Sequence, residues 1–438
     1  MKTKLIFALS LAIIAISTVI SCKKDDSPTL PTLTTTELTE ITDTSATTGG
    51  SIASNGGSDI ISSGVCWSTS ENPTITDNIT AENAVSGDFI SKIKGLKGGV
   101  NYYVRAYATN SIGTGYGQSV SLTTIIKNQS LSYGASYADD IYYSLKNGVI
   151  STVPRATWDI AFSVYSMSSS IIINESNSIT LKAFPNAWTW ASTIDTAGFS
   201  TWLSLRNSDT SWETGAFNAN ATGHPNYGWG IYNPVSHNIV NAEGGKLYII
   251  KFADKSCKKV WVEIKYSSLQ KYSFRFANLD GSNEHVISNL DVSTSNANFV
   301  YYSLQSNTRL DREPDTKTWD LLFTRWEDLD GTTPYIVAGV LQNYIAKGGA
   351  PGSIQDLGVK AIEITTSDPS TISYTDGQFS TNINTIGWKW KTQSAGVFSV
   401  PTNKYYIVKD KAGRIYQIQF LTFSGGSTGN FSFNIKQL

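Results

Sequence analysis

The sequence predicts an all-β protein built of several antiparallel domains. Three observations carry that prediction. Short runs of alternating apolar and polar residues recur along the chain, punctuated by Gly and Asn turns. Gly (35), Tyr (22) and Trp (12) are abundant while charged residues make up only 16%, a balance that suits pleated, half-buried surfaces joined by tight turns. Four sequence blocks occur twice, in the same order, at an offset of about 160 residues.

The first element is a leader. Lys2 and Lys4 precede an apolar run from Leu5 to Ile20, which closes in Ser21-Cys22. The run is too short and wrongly flanked for a stable spanning helix and has the layout of a signal peptide, residues 1–21. A small residue before Cys is what a lipoprotein signal peptidase accepts. Cys22 is therefore the expected lipidation site, and the chain is expected to be anchored to a membrane rather than to span it. Residues 22–33 are rich in Pro, Ser and Thr and read as a flexible lipid-anchored linker. Within it, Lys23-Lys24-Asp25-Asp26 resembles the charged export signal of surface-exposed lipoproteins of Bacteroidetes-type bacteria. That resemblance implies an outer-membrane, cell-surface location.

Charge and cysteine content exclude several classes. The formal net charge is −1, from 34 basic and 35 acidic residues, so no field draws nucleic acid. After Cys22 only Cys66 and Cys257 remain. They fall in different expected domains and read as small buried hydrophobes, not as a disulfide or a zinc site.

Residues 34–125 form the second element. In Asn101-Tyr102-Tyr103-Val104-Arg105-Ala106-Tyr107-Ala108, the residues Tyr102, Val104, Ala106 and Ala108 alternate onto one face, as a half-buried strand requires. Leu96 lies six residues before Tyr102, as in the tyrosine corner of immunoglobulin-like sandwiches. With the Asn110 turn and Gly113/Gly115, the segment resembles a fibronectin type III domain, which implies a spacer or interaction module. Trp67 is expected in its core.

The repeat supplies the remaining elements, expected as domains over 130–285 and 290–438. Tyr142-Tyr143-Ser144-Leu145 recurs as Tyr301-Tyr302-Ser303-Leu304, and Trp158-Asp159-Ile160-Ala161-Phe162 recurs as Trp319-Asp320-Leu321-Leu322-Phe323. Gly228-Trp229 recurs as Gly387-Trp388, and Lys246 to Lys251 as Lys404 to Lys409. Alternating aromatics close each copy: Tyr272, Phe274 and Phe276 in the first, Phe431 and Phe433 in the second. Spacing places Trp158, Ile160 and Phe162 on one core face, with Asp159 and Asp320 pointing outward or satisfying backbone donors. The Trp-rich stretch from Asn186 to Leu205 is expected to hold a short helical or loop insertion.

These blocks, with Trp229-Gly230-Ile231-Tyr232-Asn233-Pro234-Val235-Ser236-His237, resemble the HmuY family of haem-scavenging surface lipoproteins. The resemblance implies two tandem HmuY-like antiparallel β domains, haem held non-covalently by two axial ligands on loops, and an outer-membrane transporter as the partner that receives it. Haem iron takes His, Met, Cys or Tyr at its axial positions. His224 and His237, with Met167 as a further candidate, are the haem-binding residues to test. No metal other than haem iron is expected. Tyr227, Trp229 and Tyr232 lie between the two His and could pack on a porphyrin face. The second copy has no His or Met from Trp319 to Leu438, and the position matching His237 is Gly396.

The competing reading is a non-haem interaction or glycan-binding surface lipoprotein, using Trp188, Trp190, Trp202, Trp212 and Trp229 against sugar faces. No enzyme is expected. The chain has no Gly-x-Ser-x-Gly elbow, Asp328-Leu329-Asp330-Gly331 reads as an exposed turn rather than a calcium loop, and Gly348-Gly349-Ala350-Pro351-Gly352 is not placed as a phosphate cradle.

Overall fold

The structure, a computed structural model, describes residues 27–330, 333–345 and 358–438. The leader, Cys22, and the Gly348–Gly352 stretch lie outside the described residues. The chain is all-β, with every pairing antiparallel and only single 3-10 turns as helical structure among the described residues. It divides into two compact units, one ending at Ile125 and one spanning Ile126–Leu438.

The first unit is a sandwich. Strands Thr32–Thr35, Ser45–Ser54 and Gly87–Lys94 form one sheet; Asn78–Ile79, Ser62–Ser68, Asn101–Thr109, Thr114–Tyr116 and Val120–Thr123 form the other. The alternation read from the sequence sets the core, because Val104, Ala106 and Ala108 pack with Ala46, Val65 and Ile93 between the sheets. The tyrosine corner forms: the Tyr102 hydroxyl accepts a 3.1 Å hydrogen bond from the Lys97 backbone N–H, and Leu96 is buried beside it. Trp67 packs half-buried against this core. Cys66 is fully buried, and burial pushes its thiol up to about 11, so it behaves as a small hydrophobe. Cys257 lies half-exposed on the strand Cys257–Tyr266 of the second unit, and both thiols are free.

In the second unit the Tyr-Tyr-Ser-Leu and Trp-Asp blocks become strands that pair with the opposite copy, whereas Tyr248–Lys251 and Lys404–Lys409 pair within their own copies and the Gly-Trp pairs lie outside the strands. Asp139–Ser144, which carries Tyr142 and Tyr143, lies beside Leu321–Asp330 with Ile141 opposite Phe323 and Tyr143 opposite Leu321. Phe299–Ser303, which carries Tyr301 and Tyr302, lies beside Ile160–Ser163 with Tyr302 opposite Ile160. Each pair is widened by hairpin partners into a four-stranded sheet: Gly148–Pro154 and Thr333–Gln342 flank the first, Ile171–Ile173 and Thr308–Leu310 the second. The exchange extends to the outer sheets. Lys127–Ser132 pairs with Asn430–Gln437, and His285–Asp291 pairs with Lys271–Asn278.

Two apolar cores follow from these pairings. One gathers Ile160, Phe162, Trp229, Tyr272, Phe274 and Phe276 with Val300 and Tyr302. The other gathers Ile141 and Tyr143 with Leu321, Phe323, Phe420, Phe431 and Phe433. Burying one such aromatic side chain is worth roughly 1.5–3 kcal/mol, so each core is stabilised by strands borrowed from the opposite copy.

The aspartates of the Trp-Asp blocks lock the exchange. Asp159 is buried, and its Oδ2 accepts from the backbone N–H of Leu304 at 2.7 Å and of Gln305 at 3.2 Å, and from the Ser303 hydroxyl at 3.1 Å. Its Oδ1 accepts from Gln305 Nε2 at 3.0 Å. Asp320 does the reciprocal job, accepting from the Leu145 N–H at 2.8 Å. Each carboxylate therefore satisfies the turn that ends the Tyr-Tyr-Ser-Leu strand of the other copy. Trp158 departs from the sequence expectation. The regular strand begins only at Ile160, so strict alternation does not reach back to Trp158. Its ring packs with Ala161, Ile172, Phe299 and Tyr301 on the opposite side from Phe162. The stretch from Asn186 to Leu205 holds a 3-10 turn at Phe199–Thr201 and the short strand Ser204–Leu205.

Candidate functional site

The candidate site is a hairpin between the two halves of the Trp229 segment and the chain that returns to the sheet. Gly228 has φ +86°, and a Cβ there would sit 2.9 Å from the Phe217 carbonyl oxygen. Glycine at this position lets the backbone turn so that Trp229 enters the core, where its indole N–H donates to the Ser169 carbonyl at 3.0 Å. Strands Ile231–Asn233 and Asn238–Val240 then form an antiparallel hairpin, with the four residues Pro234–His237 as its loop. The Asn233 side-chain oxygen accepts from the N–H groups of Val235 and Ser236 and shapes that loop.

Tyr232 is the centre of the site. Its hydroxyl lies 2.7 Å from Nδ1 of His237, and its ring centroid lies 4.9 Å from that of His224. Nδ1 of His224 is 3.4 Å from the Tyr227 hydroxyl. Both imidazoles are exposed, and so are Ile231 and Val235 on the same hairpin. Because Nδ1 of His237 is engaged by the phenol, Nε2 is the nitrogen left for an incoming ligand. His237 takes φ +55°, a left-handed backbone that a non-glycine residue adopts at a cost of roughly 1–2 kcal/mol. An open groove of ≈ 670 Å³ runs beside the cluster, lined by Trp229, Ile231, Tyr232, Pro234, Asn241 and Lys246 among others.

The structure thus brings His224, His237 and Tyr232 together. Met167 sits on a different loop, pinned from below: Lys265 Nζ donates to the carbonyls of Ser166 and Ser168. Its own side chain is 73% exposed and points to solvent. Of the Trp residues named for sugar binding, Trp188 and Trp229 are buried. Trp190 and Trp202 are half-buried in a cluster with Trp188 and Trp261, with ring centroids 5.3 Å apart for Trp188 and Trp261. Trp190 packs on Trp261, and Trp202 packs on Phe184 and Phe199. The third histidine, His285, stacks on Phe276 at 4.9 Å. Among the described residues no group of three His, Cys, Asp or Glu converges to hold a metal ion, and no helix is long and apolar enough to cross a membrane.

The sequence singled out both histidines and the tyrosine between them. It did not single out the left-handed backbone at His237. The signal was present, because Gly396 occupies the corresponding loop end in the second copy with φ +81°.

The described chain is thus all-β, with an exposed ring cluster beside an open groove. Residues 295–435 match the model of the HmuY protein family, a family of binding proteins; the match covers less than half of the chain. No curated protein matches the chain. Among solved structures, the sensor domain of the anti-sigma factor RsgI4 of Pseudobacteroides cellulosolvens is 20% identical over 22% of this chain and 76% of its own, with a TM-score of 0.18. The FN1–FN3 domains of chicken CNTN1 are 12% identical over 90% of this chain and 94% of their own, also with a TM-score of 0.18. At those scores neither likeness carries an argument. The matched segment, 295–435, contains no His, Met or Cys.

Proposed function

We propose that this chain is a lipid-anchored surface protein that captures haem, with His224 and His237 as the axial ligands and an outer-membrane transporter as the receiving partner. Cys22 is the anchoring residue in this reading. Residues 34–125 are the fibronectin type III-like spacer, and 130–285 and 290–438 are two HmuY-like copies. The observation that carries the reading is the pair of exposed imidazoles flanking Tyr232 on a hairpin whose exposed neighbours, Ile231 and Val235, are apolar. Neutral imidazoles supply iron ligands, and the apolar and aromatic rim suits a porphyrin edge. The family match supports a binding role. It falls on the copy without His or Met, where only Tyr could ligate iron, so haem capture is assigned to the first copy alone.

Titration of the purified soluble chain with haem tests this. The expected result is a Soret band shifted from that of free haem, saturating at one haem per chain and lost in His224→Ala and His237→Ala. Met167→Ala is expected to leave the spectrum unchanged and stability within about 0.5 kcal/mol, as for an exposed side chain. A wild-type chain that leaves the haem spectrum unshifted overturns the proposal, and a shift that survives both His substitutions overturns the ligand assignment. The glycan-binding alternative draws no support from the buried Trp cluster.

A further inference from the structure

A second, buried site lies far from the hairpin in character. Between the two exchanged sheets is a cavity of ≈ 60 Å³, room for a few waters or one small polyatomic ion. Residues from both copies line it. Arg155, Trp158 and Glu175 come from the first, Arg312 and Arg325 from the second, and Asp140 from the exchanged strand. Trp212 crosses from one copy to the other at its wall and donates its indole N–H to the Gln342 carbonyl at 3.0 Å.

The wall is unbalanced in charge and in hydrogen bonding. Arg312 pairs with Asp140 at 2.8 Å, and Thr324 donates its hydroxyl to the other Asp140 oxygen at 2.6 Å. That carboxylate is fully committed. Arg155, 5% exposed, and Arg325 form no ion pair among the described residues. Glu175 adds no compensating charge at neutral pH, since burial pushes its carboxyl up to about 8. Four N–H donors on the wall are buried without a partner: Arg155 Nη1, Arg312 Nε, Arg325 Nε and the Trp158 indole. Buried unsatisfied donors and unmatched guanidinium groups are each costly, and native interiors rarely keep several together.

We propose that this cavity binds a small oxyanion, a tetrahedral phosphate or sulfate or a carboxylate, which bridges Arg155 and Arg325 and so ties the two copies together. Guanidinium and indole N–H groups around a partly enclosed space are the donor set such an anion requires. The single ion would match the excess positive charge and satisfy the orphaned donors at once. The assignment is independent of haem capture, because it uses neither histidine.

The test uses the full soluble chain exchanged into a zwitterionic buffer with chloride as the only anion. Phosphate, sulfate and acetate are titrated separately at constant ionic strength, by calorimetry and by thermal midpoint. The expected result is saturable one-site binding in the millimolar range or tighter by at least one of the three, with a midpoint raised by several degrees. Which of the three saturates distinguishes tetrahedral from carboxylate ligands. Arg155→Met and Arg325→Met are each expected to weaken binding by at least about tenfold. If either variant fails to fold, crystals of the wild-type chain soaked in selenate decide, with an anomalous peak expected between Arg155 and Arg325. Ordered water alone in that cavity, or midpoints equal in all four anions, overturns the proposal. A selenate peak without saturable binding in solution counts against it as binding at crystal concentration only.

Discussion

The two hairpins that follow the repeated Gly-Trp pair differ both in loop and in what they pair with. In the first copy the loop has four residues, Pro234–His237, and ends in a left-handed histidine; in the second it has two, Ala395 and Gly396, both left-handed, between Thr392–Ser394 and Val397–Ser399. The first hairpin is stitched into the large sheet, Ile239 facing Lys265, while the second stands as a two-stranded sheet of its own. Both the loop and the attachment of the hairpin to its sheet are changed. Glycine is the residue the backbone prefers at that loop end, so the histidine there is tolerated against local strain, which is where functional side chains tend to be found.

The comparison can be broken most severely at the aspartates that lock the exchange. Asp159 accepts four hydrogen bonds and Asp320 one from Leu145 with a second contribution from Ser144. Asp159→Ala leaves buried donors without partners and is expected to destabilise the second unit by about 3 kcal/mol, with Asp320→Ala costing less. Urea unfolding of the two variants checks the order; equal losses would show that the two locks are equivalent after all.

A smaller effect separates the buried acids from the buried lysine by their response to pH. Glu175 in the first copy has its carboxyl raised from 4.5 to about 8 by burial. Between those values the folded chain holds a proton that the unfolded chain has released, so this group makes stability fall as pH rises from 4.5 to 8. Glu313, raised to about 7, acts in the same direction from 4.5 to 7. Lys391 in the second copy acts oppositely. Its ammonium is lowered from 10.5 to about 7 by burial, so stability rises as pH climbs from 7 to 10.5. Glu175→Gln keeps an acceptor for the Asn207 N–H, at 2.7 Å in the wild type, and is expected to flatten the acid-side slope and to exceed the wild type by about 1 kcal/mol or more at pH 8. Denaturant midpoints from pH 5 to 9 read this directly.

The smallest effect tests the hairpin itself. His237→Gly relieves the left-handed strain and is expected to stabilise the fold by up to about 1 kcal/mol while abolishing the haem Soret shift. A variant that is less stable than the wild type would show that His237 is there for packing.

Much of this was legible in the residues. The alternation of Tyr272, Phe274 and Phe276, and of Phe431 and Phe433, placed both sets in the cores they occupy. Alternation states which face of a strand is buried; it is silent on which neighbour buries it. Tyr142 to Leu145 has the same pattern whether it pairs with its own Trp-Asp strand or the other, so the exchange had no signature. Trp158 was assigned to the wrong face because the pattern does not mark where a strand starts. At the site, the two histidines and Tyr232 were close enough in sequence to be named together, and the fold only had to bring their rings side by side. Arg155, Arg312 and Arg325 are scattered over two copies and meet only because the sheets are exchanged, so no local pattern announced them.

The exchange also sets an order on how the chain can be built. Lys127–Ser132 cannot join its sheet until Asn430–Gln437 has been made, and the partners Asn128 and Asn434 are 306 residues apart. Contacts that close so much chain are slow to form. A nascent chain must therefore carry an open sheet edge until its final strands appear, and an unpaired edge is a template for pairing with another molecule. The sandwich of the first unit, complete within its own residues, can fold long before that, leaving the second unit as the part of the molecule whose maturation depends on keeping one strand unclaimed.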